Sequence, residues 1–160
     1  MAESKAELYD RLAAELAVLL ADGGGFVANA ANCAALIYHG LPDLNWAGFY
    51  VLKGGELVLG PFQGEPACVR IAIGKGVCGT SAEKRETVVV ENVHEFPGHI
   101  ACDSASNSEI VVPLIAGGRL IGVLDLDSPS IGRFDSADRA GLEMLARMFL
   151  VGTDTCGLGT

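Results

Sequence analysis

The chain has 160 residues, half of them apolar and 21 of them glycine, with a formal charge of −9 from 20 acidic and 11 basic side chains. That length suits one domain able to bury about two-thirds of its unfolded surface. The acidic balance, with no basic cluster, disfavours nucleic acid or an anionic membrane as partner. No apolar run reaches the roughly 18 residues that cross a bilayer, and the opening "MAESKAELYD" lacks the apolar core of a signal peptide, so a soluble, cytoplasmic protein is expected.

In chain order, Ser4 and Glu7 form a capping-box pattern ahead of Leu8, Leu12, Leu16 and Leu19 at helical spacing. "DGGG" (22–25) stops that helix. A second helix is predicted from about Phe26 to Tyr38, with Phe26, Ala30, Cys33 and Ile37 on one face, which makes Cys33 core filling. From residue 46 the period changes to two. "WAGFYVL" and "ELVLGPF" flank Lys53-Gly54-Gly55 as a β-hairpin. "ACVRIAI" reads as a third strand, "VCGTSAEKRE" as a short helix and "TVVVENV" as a short strand. "SEIVVPLIA" and "RLIGVLDLD" form a second hairpin across Gly117-Gly118, and Asp135 caps a last helix carrying Leu142, Leu145 and Phe149. Two helices, a run of mostly antiparallel strands and a closing helix predict an α+β sandwich.

Three patterns carry candidate chemistry. "GKGVCG" (74–79) has GxGxxG spacing after a strand, but only a short segment separates Gly79 from the next strand. A dinucleotide fold needs a crossover helix of about a dozen residues, so these glycines are expected to serve a tight strand-to-helix turn. Cys68, Cys78, Cys102, His94 and His99 are enough soft ligands for zinc, yet no CxxC or HxxxH pair is present, and the spacing argues against a metal. The carboxylates are the third pattern. In "RLIGVLDLDSP", alternation puts Ile121, Val123, Asp125 and Asp127 on one strand face. Desolvation and mutual repulsion would push a proton onto such a pair, although a solvated strand end fits the same spacing. Glu109 opens the partner strand and can reach the same region.

The odd count of five cysteines (33, 68, 78, 102 and 156) in a chain without a secretion signal is expected to rest reduced. Cys102 lies in a small polar loop, "FPGHIACDSASNSEIVVPL" (96–114), with no apolar residue on its C-terminal side until Ile110. A structural cysteine sits among apolar neighbours; this one is an accidental surface thiol or is presented for chemistry. Acids near a cysteine make a poor thiolate generator. They suit a reaction in which protonating the substrate matters more than ionising the sulfur, such as sulfoxide reduction, where the S=O oxygen must leave as water. Cys68 and Cys78 could then resolve the oxidised thiol.

"NWAGFY", "LGPFQGEPACVRIAIGKGVCGT", "VHEFPGHIACDSASNSEIVVPL" and "LIGVLDLDSP" closely resemble the free methionine-(R)-sulfoxide reductases, which are built on a GAF domain. The resemblance runs from about Glu7 to Leu150 and is strongest between Asn45 and Pro129. It implies a six-stranded, mainly antiparallel sheet with helices packed on it, in a single domain over 1–160 with its core at about 5–150 and a flexible tail at 151–160. It places the attacking thiol at Cys102, the resolving thiol at Cys68, with a Cys68–Cys102 disulfide, and a third exchanging cysteine at Cys78. Glu109, Asp125 and Asp127 fall on the acids that surround and protonate the sulfoxide, and Trp46 and Tyr50 on the aromatic wall around the substrate methyl group. The resemblance implies no bound cofactor or metal, thioredoxin as electron donor (dithiothreitol in vitro) and a homodimer. Cys156, in a tail with no counterpart, is expected to be incidental. The rival expectation is a GAF sensor module that binds a small ligand without chemistry; against it, such a module needs neither Cys68 nor Cys102.

Overall fold

Both capping patterns form. Glu7 N donates to Ser4 Oγ (3.2 Å) and Ser4 N to Glu7 Oε2 (2.8 Å), starting α1 (Lys5–Leu20). Asp138 N donates to Asp135 Oδ1 (3.0 Å) and Asp135 N to Asp138 Oδ2 (3.0 Å), starting α4 (Ser136–Val151). Each reciprocal pair satisfies amides that a helix end otherwise leaves open. The computed structural model describes residues 1–100, 102 and 104–160; Asp103 of the polar loop lies outside them. Between the two capped helices run α2 (Phe26–Gly40), β1 (Trp46–Lys53), β2 (Glu56–Gly64), β3 (Arg70–Ala72), α3 (Gly76–Lys84), β4 (Val88–Val90), β5 (Ser108–Ala116) and β6 (Arg119–Ser128).

The six strands form one sheet in the order β3-β2-β1-β6-β5-β4, with every pairing antiparallel. One face carries Phe49, Ile110, Val112, Leu124 and Leu126, which pack with Leu12, Leu16, Ile37, Leu142 and Phe149 of α1, α2 and α4. Cys33 belongs to this core, and burial pushes its thiol up to about 12, as expected of filling. The other face carries Trp46, Tyr50, Val111 and Val123 and packs against Val77, Cys78 and Ala82 of α3. The sheet therefore divides the molecule into a helix-covered core and a second layer that holds the site.

An acid deep in the first layer locks α1 to α4. Asp138 is 1% exposed and accepts from Tyr9 Oη (2.9 Å), Lys5 Nζ (2.6 Å) and Arg133 Nη1 (3.0 Å). A buried charge this well paired and hydrogen-bonded avoids the desolvation cost of an isolated one.

The structure corrects two details of the sequence reading. The third strand is shorter than "ACVRIAI", because the Cys68 carbonyl is taken by the Tyr50 hydroxyl instead of a strand ladder (2.9 Å). Ile121 does not share a face with Val123. Leu114 pairs with Gly122 and Ile115 with Leu120, so Ile121 is the extra residue of a bulge and turns into the helix-side core. Residues 151–160 carry contacts that the pattern does not signal. Asn29 Nδ2 donates to Thr153 Oγ1 (2.9 Å), Arg119 Nη1 to the Leu158 carbonyl (2.9 Å) and Gly54 N to the Thr160 carbonyl (2.6 Å).

Candidate active site

The site begins with register. On the α3-facing side of the sheet, Trp46 of β1 is paired with Asp127 of β6, which is paired with Glu109 of β5; one step along, Gly48 is paired with Asp125 and Asp125 with Val111. This brings Glu109, Asp125 and Asp127 onto adjacent strands, as the alternation and the second hairpin predict. The solvated-strand-end reading of the aspartate pair does not survive for Asp125, which is 5% exposed, and Glu109 beside it is 6% exposed.

Trp46 and Tyr50 flank Gly48 on the same face of β1. A Cβ at Gly48 would meet the Phe62 Cβ and lie 2.7 Å from Trp46 Cη2, so the missing side chain makes room for the indole. That ring stacks on Tyr50 (centroids 5.9 Å apart) and on Phe62 (5.2 Å). Both polar tips point to the segment that carries Cys68. Trp46 Nε1 donates to the Glu65 carbonyl (3.1 Å) and Tyr50 Oη to the Cys68 carbonyl. The two aromatics thus form a wall of the cavity and also position a cysteine, a second role that spacing alone does not reveal.

Cys68 and Cys102, 34 positions apart in the sequence, are joined as a disulfide with Cα atoms 5.6 Å apart. Cys33, Cys78 and Cys156 are free. The segment bearing Cys102 is tied at its ends. His94 Nε2 and Asn107 Oδ1 are 2.8 Å apart, the Val93 amide donates to the Asn107 carbonyl (2.9 Å), and the Asn107 amide donates to the Ser128 carbonyl (2.8 Å). "GKGVCG" makes the turn from β3 into α3. Gly74 and Gly76 have φ of +82° and +62°, and Gly74 N donates to the Gly79 carbonyl (2.9 Å). The start of α3 then places Cys78 against the acids.

Trp46, Tyr50, Cys78, Cys102, Glu109, Asp125 and Asp127 all line one cavity. Cys68 stands beside it through the disulfide and its neighbour Ala67. Lys75, His99 and Ser106 also line it and were not expected to do so; of these, only His99 carried a signal, its place three residues before Cys102.

The electrostatics follow from burial. Glu109 is held well above the ordinary carboxylate range, first by desolvation and then by the charges of Asp125 and Asp127. Desolvation raises Asp125 to about 6, opposed in part by hydrogen bonds from Glu109 and Cys78. The Cys78 thiol is pushed far up by burial and then by Asp125 and Glu109, and it leans on Glu109 Oε1 at 3.9 Å. Asp125 Oδ1 is buried without a hydrogen-bond partner. Burial thus shifts Glu109 and Asp125 toward their protonated forms, and both face the cavity. Cys78, Glu109 and Asp125 present three donor atoms within 4.8 Å of one another, the only such group among the described residues. Burial shifts all three toward their protonated forms, and three donors fall short of the four deprotonated ligands of a structural zinc site, so the group reads as a proton-sharing cluster.

The GAF domain family model matches residues 7–151. The free methionine-R-sulfoxide reductase of Escherichia coli K12 is 52% identical over 142 residues, covering 89% of this chain and 86% of that protein. The reduced fRMsr structure of Staphylococcus aureus is 48% identical with a TM-score of 0.89, covering 91% of this chain and 95% of that one. The free methionine-R-sulfoxide reductase of Neisseria meningitidis, solved in complex with its substrate, is 44% identical with a TM-score of 0.92, covering 97% and 93%. With that likeness over nearly the whole chain, and a cysteine pair and buried acids converging on one cavity, this protein belongs to the free methionine-R-sulfoxide reductase family of GAF domains.

Proposed function

We propose that the chain reduces free L-methionine-(R)-S-oxide to L-methionine with Cys102 as the attacking thiol. The observation that carries this reading is the Cys68–Cys102 disulfide, whose Cys102 lines a cavity shared with buried acids held above the ordinary carboxylate range. The sulfoxide sulfur is electrophilic only once its oxygen is protonated. Glu109 and Asp125 hold protons at the pH where an exposed carboxylate would have lost them, and Asp127 lies next to both. The Cys102 sulfur takes over the oxygen as a sulfenic acid and methionine leaves; the thiol proton replaces the one spent on the oxygen. The Cys68 thiol then displaces that oxygen as water and closes the disulfide. A dithiol, thioredoxin in the cell or dithiothreitol in vitro, reopens it by exchange and leaves as its own disulfide.

The acids also attract the ammonium of a free amino acid, and the stacked Trp46, Tyr50 and Phe62 give the methyl group an apolar contact. Peptide-bound methionine sulfoxide has no ammonium to offer and carries chain on both sides. The test mixes the protein with dithiothreitol and free L-methionine-(R)-S-oxide, its S epimer or its N-acetyl derivative, and counts methionine released. Turnover of the free R epimer with weak turnover of the other two is expected. Binding of the free amino acid with no methionine formed would instead make the domain a small-ligand sensor.

A further inference from the structure

We propose that the His99 imidazole carries the Cys102 thiol proton to Glu109, and so recharges the acid that protonates the sulfoxide. The inference rests on the reductase reading above and concerns a step that reading leaves open. Forming the sulfenic acid moves one proton from sulfur to oxygen with no net exchange with solvent. The thiol must lose a proton as its sulfur attacks, while the acid cluster must regain the one it gave to the oxygen. Burial first, and then the acids, hold the neighbouring Cys78 thiol far above its ordinary value, so an acid cluster disfavours a thiolate beside it. A carrier is needed whose basic form is populated at neutral pH and which faces both partners.

His99 lines the cavity that both partners line. It lies three residues before Cys102 on the same segment. Its Nε2 is 4.0 Å from Glu109 Oε2, with the two side chains 14% and 8% exposed. That gap is longer than a hydrogen bond and closes with a small ring movement or one water. The charged and titratable groups around it are Glu109 on β5, Asp125 and Asp127 on β6, Lys75 and Cys78 on or beside α3, and His94 on the turn before the segment. Burial first, and then His94, keeps the imidazole below its ordinary value, so it is a neutral base near pH 7. The step balances: sulfur gives its proton to an imidazole nitrogen, the imidazolium gives one to Glu109, and Glu109 has just given one to the leaving oxygen.

The two titrations have opposite signs. His99 must be unprotonated to accept, so the rate of the first step rises as pH climbs through the imidazole pKa. Glu109 must be protonated to donate, so the rate falls as pH climbs through its raised range. The experiment is a single turnover with pre-reduced enzyme and no added reductant. Methionine release is followed from pH 5 to 9 for wild type, His99→Gln and His99→Asn. Expected are a loss on the order of 100-fold in the first-turnover rate, disappearance of the acidic limb with the basic limb kept, and partial restoration by added imidazole. Disulfide formation with hydrogen peroxide, which needs the loop but no sulfoxide, should proceed in both variants and separates proton transfer from misfolding. An unchanged rate overturns the proposal, as does a loss that is equal at every pH and insensitive to imidazole. If wild type itself releases no methionine, the reductase reading fails; an active wild type with equally active variants removes only the role of His99.

Discussion

Two cysteines far apart in the chain meet because two aromatic side chains hold one of them. Tyr50 and Trp46 grip the backbone of 65–68, and the 96–107 segment brings Cys102 to Cys68. The proposed roles make the two thiols separable. Cys102→Ser should give no methionine even in a single turnover, because an alcohol does not take up the oxygen at this sulfur. Cys68→Ser should release about one methionine per subunit, as the stepwise chemistry requires, and then stall with Cys102 as a sulfenic acid. Intact mass after a dimedone trap reads both outcomes. Sustained thioredoxin-driven turnover by Cys68→Ser would transfer the resolving role to Cys78, which is free and faces the same cavity.

At the scale of elements, what was legible in the sequence is what is local. The capping box at Ser4, the cap at Asp135 and the two hairpins were readable because caps and turns are decided within a few residues. The brevity of β3 was not, since it depends on the Tyr50 hydroxyl reaching the Cys68 carbonyl across the sheet. Nor was the Ile121 bulge, since strict alternation assumes one residue per pairing step. The acids and cysteines of the site were legible by type and by family likeness. The cavity contacts of Lys75 and Ser106 were not, because a polar residue in a turn reads the same whether it faces solvent or a pocket. Gly48 was missed because its role depends on Phe62 of the neighbouring strand and on the Trp46 ring, which the pattern of β1 does not show. Gly48→Ala would drive a methyl group into Phe62 and the Trp46 ring, which has no space to retreat without leaving its stack. The expected cost is about 1–3 kcal/mol in stability, as for overpacking elsewhere, with KM raised about tenfold, some 1.4 kcal/mol of lost binding. Trp46 is the single tryptophan, so its fluorescence reports the displacement directly. An unshifted spectrum with an unchanged KM would show that the wall tolerates the methyl.

Across the whole molecule, the sheet separates two buried aspartates that the structure treats in opposite ways. Asp138, on the helix side, is met by Lys5, Arg133 and Tyr9, and ties α1 to α4. Asp125, on the site side, has no cationic partner at hydrogen-bond distance among the described residues and keeps one oxygen unsatisfied there. The same conservative change should therefore act with opposite signs. Asp138→Asn removes the charge that compensates Arg133, a side chain 9% exposed, and should cost about 3 kcal/mol, the scale for breaking a buried pair. Asp125 is raised from the ordinary aspartate value of 3.8 to about 6, so the folded state holds its proton more tightly than the unfolded chain does. Stability from this residue is then complete below about pH 4 and is lost as pH rises through about 6, by up to about 3 kcal/mol for roughly two pKa units. Asparagine cannot ionise. Asp125→Asn should match wild type in stability at pH 4, gain on the order of 1–3 kcal/mol at pH 8 and lose most of its activity. Urea unfolding followed by Trp46 fluorescence at the two pH values measures the difference. A gain of the same size at both values, or none at pH 8, would mean that ionised Asp125 is not the source of the strain and that the proton resides elsewhere in the cluster.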